Sequence, residues 1–266
     1  MLFAINGTAP NYGGLSIEGP LTLDGNQISA DSALIQANNG TFLTINSGVT
    51  LMGNVNSAGN GGGVNIAGGT FTMNGGTISG NEADKGGGVY SINCIFTMQG
   101  DAKISINEAN EGGGMWLSTT GGGTAILNMQ GSALVHGNTA SGNGGGMYIA
   151  HGGGVISNYF VHENALVYGN EADMGGGVYL WSSSTNPIFR ISGGIITGEA
   201  VYRGFAKNTA SSGGAALRIG NSGTATAQYG AYANGTWSAL NDIPVISIGV
   251  EKVRDDAIDV KNGVLR

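Results

Sequence analysis

Cysteine is all but missing from this chain. Of 266 residues only Cys94 is a cysteine, so no internal disulfide can form. Placed at a strand start between Asn93 and Ile95, it reads as a buried, small apolar residue. Proline is scarce as well, 4 residues against 52 glycines. Glycine without a G-X-Y register excludes collagen, and glycine with little proline fits tight turns. Charged residues make up only 10%, too few for a disordered tract, while an apolar share of 41% is enough for a core. Basic residues number 10 against 17 acidic ones, for a net charge of −7. They are scattered apart from Lys252 and Arg254, so nucleic acid, bound by neutralising phosphates, is not an expected partner. No apolar run reaches the roughly 18 residues of a membrane helix, so no membrane insertion by this segment is expected. The opening MLFAINGTAPNYGG lacks the basic and apolar regions of a signal peptide. Any export signal is therefore expected outside this chain.

What the chain does contain is one unit repeated six times: an Asn, a short polar stretch, two or three Gly, then an apolar strand start. It reads Asn54-VNSAGN-GGG-VNI, Asn81-EADK-GGG-VYS, Asn107-EANE-GGG-MWL, Asn138-TASGN-GGG-MYI, Asn170-EADM-GGG-VYL and Asn208-TASS-GGA-ALRI. Successive Asn residues lie 27, 26, 31, 32 and 38 apart. A period of this size marks a solenoid, because one unit cannot bury its own apolar face and must stack on its neighbours.

Within a unit the apolar period is two, as in Phe71-Thr-Met73, Phe96-Thr-Met98 and Leu127-Asn-Met129, the pattern of half-buried strands. A second short strand follows (Thr77-Ile-Ser, Lys103-Ile-Ser), then an Asn turn, a polar stretch and a Gly turn. A third strand begins at Val64, Val89, Met115, Met147, Val178 and Leu217. The expected fold is all-β, a single-stranded parallel β-helix of about eight or nine coils forming one domain over 1–266. Residues 1–53 carry weaker coils, 54–219 the regular repeats, and 220–266 the last coils and a cap that protects the edge. Extra residues are expected in loops at Ser118–Gly123 and Trp181–Pro187.

Stacking turns equivalent residues into columns. Asn54, Asn81, Asn107, Asn138, Asn170 and Asn208 are expected to form a structural amide ladder at a turn. Ala83, Ala109, Ala140, Ala172 and Ala210 are expected to face inward. The Gly runs are not phosphate loops, since neither Lys-Ser/Thr nor a helix follows them. In the third strand the flanking residues claim the interior, so Tyr90, Trp116, Tyr148 and Tyr179 should form an exposed aromatic column. Such rings suit stacking on sugars or docking a partner, or else a cross-coil ladder that stabilises the sheet. Glu82, Glu108 and Glu171, with Asp84 and Asp173, read as a solvated acidic edge, and no metal site is expected because the ligand set is incomplete. His136 belongs to an outward column with Ser79, Ser105 and Tyr168. His151 falls in a Gly loop and His162 one coil on from Gln130; all three read as surface histidines. No catalytic residue and no cofactor is assigned. Asp255-Asp256 has the look of a polygalacturonase acid pair, but its surroundings, VRDDAIDV, lack that family's partner motifs.

FTMNGGTISGNEADKGGGVY, NTASSGGAAL and the late TAQYG…NGTW…VKNGVL resemble the Gly- and Asn-rich repeat proteins of spirochaetes and gut bacteria. The texture is also similar to chlamydial polymorphic outer-membrane-protein repeats. The resemblance covers roughly 40–266 and implies a right-handed β-helix of the pectin-lyase-like class, exported to the cell surface. The expected function is a non-enzymatic, extracellular or cell-surface protein presenting a repetitive face for adhesion, with a glycan or a host or neighbour-cell protein as partner. The alternatives are a polysaccharide lyase or glycoside hydrolase of that fold, and a structural spacer within a longer surface protein.

Overall fold

The computed structural model describes residues 3–6, 13–29, 31–38, 40–152, 158–182, 188–198, 200 and 204–220. Beyond these it describes the strands Thr226–Ala233, Thr236–Asp242, Ile246–Ile248, Glu251–Arg254, Ile258–Lys261 and Val264–Leu265. The chain is an all-β parallel β-solenoid of about six turns, built from four stacked sheets. Each regular turn visits four faces. One turn runs Thr70–Asn74 on the first face, Thr77–Ser79 on the second, Glu82–Lys85 on the third and Val89–Ile92 on the fourth. The next repeats it with Ile95–Met98, Lys103–Ser105, Glu108–Glu111 and Met115–Thr119. Registers are continuous, for example Phe96 on Phe71, Ile104 on Ile78 and Met115 on Val89.

The expectation of three strands per coil is corrected to four. The polar stretch after each Asn is itself a strand, with Glu82 paired to Glu108 and Ala83 to Ala109. It gives no apolar alternation because a single small Ala is its inward residue: Ala83, Ala109, Ala140 and Ala172 are all buried. The expected eight or nine coils become about six complete turns, since the third face holds six strands and, among the described residues, the first coil meets it only through an isolated Ser29–Val55 bridge. The two supposed loops also shorten. Ser118 and Thr119 extend the strand Met115–Thr119, and Trp181 and Ser182 extend Val178–Ser182.

The interior is a stack of buried apolar side chains, among them Leu43, Phe71, Phe96, Leu127, Tyr159 and Phe189 on the first face. Phe71 and Phe96 stack with centroids 4.4 Å apart. Each such residue contributes about 1.5–3 kcal/mol by leaving water. Cys94 is buried as expected, and desolvation pushes its thiol up to about 11.

The ends of the described solenoid differ. Ile195–Ile196, Leu217–Gly220 and Thr226–Ala233 pair antiparallel with Ile258–Lys261, Glu251–Arg254 and Thr236–Asp242. Closure therefore begins at the hairpin starting with Thr226, within the stretch 220–266 read as last coils and cap. Asp255 and Asp256 lie outside the described residues.

Candidate functional site

The Asn column occupies the corner between the second and third faces, with every member 0–2% exposed. Asn81 donates from its backbone N–H (3.0 Å) and its Nδ2 (3.1 Å) to Oδ1 of Asn107 in the next coil. Asn107 does the same to Asn138, Asn138 to Asn170, and Asn170 to Asn208. Each Nδ2 also reaches back to a main-chain carbonyl of the preceding coil; Asn107 takes that of Ile78 at 3.1 Å. One side chain thus meets three buried polar groups at the bend. Asn54 joins only through its backbone N–H on Asn81 Oδ1, and its Nδ2 binds the carbonyls of Ser32 and Gly62. The last Gly of each run makes the room. A Cβ on Gly88 would stand 2.9 Å from Asn107 Nδ2, and one on Gly114 would stand 2.9 Å from Asn138 Nδ2. The Asn and the Gly preceding the next strand are one structural device spread over two coils.

The aromatic column has the expected register: Tyr90 pairs with Trp116, Trp116 with Tyr148, and Tyr148 with Tyr179. It lies outside the apolar interior, in a separate cluster with Ala150, Ile92, Met174 and Trp181. The expectation of an exposed strip is corrected. Trp116, Tyr148 and Tyr179 are only 9%, 8% and 5% exposed, and Tyr90 is half-buried. The cause is the coil spacing itself. Ring centroids lie 4.7, 6.0 and 5.1 Å apart with small interplanar angles, so the ring faces cover one another. Lys85 lies 5.4 Å from the Trp116 centroid while pairing with Glu111 at 3.0 Å. Burial works to lower the Lys85 pKa, but the Glu111 hydrogen bond and charge outweigh it and the net shift is upward. Desolvation, aided by Glu111, raises the Tyr148 phenol well above its usual value. The Trp116 indole N–H is buried without a hydrogen-bond partner among the described residues.

The third face carries the polar surface. Its outward positions form one column of Glu82, Glu108, Thr139, Glu171 and Thr209, in register from coil to coil. Two residues further along each strand lie Asp84, Asn110, Ser141, Asp173 and Ser211. Asn110 Nδ2 donates to Asp84 at 2.6 Å, and Ser141 donates to Asn110 Oδ1 at 2.9 Å. Ser211 and Ser212 both donate to Asp173 Oδ1 at 2.6 Å, and these hydrogen bonds hold its carboxyl below the usual range. Glu82 and Glu108 stand side by side, as expected for an acidic edge, and Glu82 also accepts from Ser57 at 2.5 Å. Across the last three coils this face sinks into a groove of about 650 Å³. Its lining includes Thr139, Ser141, Glu171, Asp173, Lys207 and Ser211. Among the described residues no three His, Cys, Asp or Glu side chains gather as a metal site.

The histidine reading needs correcting. His136 does stand outward in register with Ser105 and Tyr168, stacked on Tyr168 at 4.9 Å. His151 is fully buried at a strand end, in register with Thr119 and Ser182, with Nδ1 2.9 Å from Thr119 Oγ1. His162 is 5% exposed, with Nδ1 2.8 Å from Ser192 Oγ, and desolvation lowers its pKa to about 4. The extended strand around His151 and the packing of neighbouring coils on both histidines remove them from the surface.

One column went unread in the sequence. Gln130 donates to Gln99 (2.9 Å), Gln99 to Asn74 (2.7 Å), Asn74 to Asn46 (3.0 Å), and Asn46 to Glu18 (2.8 Å). This second amide ladder runs along the outside, at the end of the first face. Its signal is the amide that directly follows each apolar-x-apolar strand, as in FTM-Asn74 and FTM-Gln99.

These features define the class: a parallel β-solenoid repeat protein. No protein-family model, curated protein or solved structure matches the chain.

Proposed function

We propose that this chain is a non-enzymatic, exported surface protein that presents a rigid, repetitive face for adhesion or for binding a glycan or protein partner. We take its winding as right-handed, the hand that connections between parallel strands overwhelmingly adopt. The observation that carries the reading is the third face. Its outward carboxylate, amide and hydroxyl groups recur from coil to coil in register, and the last three coils are concave. A rigid lattice loses little conformational entropy on binding, which favours recognition. The resemblance to Gly- and Asn-rich surface proteins supports an extracellular or cell-surface location. The aromatic column remains a candidate contact through its ring edges and through Tyr90, the least buried of the four.

A spacer role is the second reading, and the closed stacking of Trp116, Tyr148 and Tyr179 favours it, since the ring faces are spent on one another. A cell-adhesion assay and a glycan array, comparing the wild type with Trp116→Ala/Tyr148→Ala, test both. Adhesion or binding by the wild type without release of reducing or unsaturated sugars is the expected result. Sugar release would favour a lyase or hydrolase, and no adhesion and no bound glycan would leave the spacer.

A further inference from the structure

We propose that the groove on the third face is a binding site for a neutral oligosaccharide lying along the solenoid axis. The inference rests on the reading that this chain binds ligands at its surface, and it names the place and the ligand class.

The first argument is composition. Four hydroxyls (Thr139, Ser141, Thr209, Ser211) and two carboxylates (Glu171, Asp173) line the groove, with Lys207 beside them. Thr139 and Thr209 can donate and accept, Ser141 and Ser211, whose protons are already given to Asn110 and Asp173, accept, the carboxylates accept, and the ammonium donates. A ligand dense in hydroxyl groups, each able to do both, matches that set better than a peptide with its few polar atoms.

The second argument is repetition. Three consecutive coils each supply an outward pair two residues apart: Thr139 with Ser141, Glu171 with Asp173, Thr209 with Ser211. Thr139 pairs in register with Glu171, and Glu171 with Thr209. Neighbouring strands stand about 4.8 Å apart, comparable to the advance of one sugar ring along a chain. Successive rings can therefore meet successive coils with the same kind of contact. At about 650 Å³ the groove falls within the range of sites that enclose small ligands.

The third argument is preorganisation. The Asp173 carboxylate is already fixed by Ser211 and Ser212, and Ser141 is fixed by Asn110, which is itself held by Asp84. These side chains need little further ordering when a ligand arrives.

Charge sets the class. Two carboxylates face one lysine in the groove, on a chain of net charge −7. Uronates, sulfated sugars and other polyanions meet repulsion there, whereas neutral sugars do not.

Titration calorimetry with neutral gluco-, manno- and chito-oligosaccharides of two to five rings, and an oligogalacturonate comparator, tests this on the full chain. The proteins are the wild type, Glu171→Ala, Asp173→Ala, a blocking Ser141→Trp, and the Trp116→Ala/Tyr148→Ala variant. Thermal melts identify the variants that remain folded, and the exposed Glu171 and Ser141 keep the test interpretable if Asp173→Ala does not. The expected result is that at least one neutral series binds the wild type, more tightly with each ring up to about three coils' length. Each folded groove variant should then weaken it about tenfold or more, the loss of one or two hydrogen bonds. The proposal is overturned if no neutral series binds, if only the uronate binds, or if groove variants bind as the wild type does. Binding that survives in the groove variants but fails in the aromatic variant moves the site and keeps the surface-binding reading. Failure of every protein to bind any glycan or cell removes both.

Discussion

Two amide ladders run along this solenoid, and they differ in almost everything but chemistry. The inner one, Asn54 to Asn208, is buried at the corner between the second and third faces, and its side-chain amides donate toward the carboxyl-terminal coils. The outer one, Asn46 to Gln130, is half-exposed, and its amides donate the other way, ending on Glu18. The inner ladder keeps one residue type at every coil; the outer one accepts Asn and Gln alike. Burial explains the contrast. An inner amide must meet the backbone groups of two coils at fixed distances, with no water to substitute, so side-chain length is dictated. The outer amides need only reach each other, and water completes whatever they leave.

The largest expected effect breaks the inner ladder. Asn107→Ala strands the buried Asn81 N–H and takes one partner from Asn81 Nδ2, which keeps the Leu51 and Ser79 carbonyls, and one from the Ile78 carbonyl, and should cost about 1–3 kcal/mol. Denaturant unfolding measures it, and a midpoint that does not move would show that the ladder is ornament.

The next effect lies where the outer column enters the interior. After Gln130 the equivalent position is His162, whose folded pKa is near 4 because burial disfavours the charged ring. An unfolded histidine titrates near 6.5. Above about 6.5 both states are neutral and the pH has no grip. Between about 6.5 and 4 the unfolded chain takes up a proton that the folded chain refuses, so stability falls as pH is lowered. Below about 4 the dependence ends. His136 and His151, both lowered chiefly by desolvation, add to the slope in the same direction. His162→Gln should flatten it relative to the wild type, compared by urea midpoints at pH 7 and 4.5; identical slopes in both proteins would count against this account.

A smaller effect is expected from the outer ladder proper. Gln99→Ala removes hydrogen bonds at 2.7 and 2.9 Å, but solvent can replace both, so the loss should stay below about 1 kcal/mol. A cost equal to that of Asn107→Ala would erase the distinction between the ladders. The smallest effect concerns Glu82 and Glu108, which are close enough to invite a bridging cation. A chelator should leave the thermal transition unmoved, and a large fall in the midpoint would make that edge a binding site.

The sequence alone determined the solenoid, its period, the inward residues of the apolar strands and the register of Asn and Gly. Each of these is a rule repeated in every unit: Asn81 and Asn107 announce the same corner, and Gly88 and Gly114 sit where the next Asn needs room. Only the tertiary structure decided matters that depend on what lies beside a residue in the adjoining coil. The third face became a sheet because a strand with one small inward residue, such as Ala109, has no apolar alternation to read, yet main-chain pairing on both sides still holds it. Trp116 and Tyr148 point outward as their neighbours' periodicity required, but stacking at the coil spacing buried them. His151 and His162 left the surface for the same reason. Periodicity tells a side chain which way to point; how much water reaches it there is settled by the coils above and below.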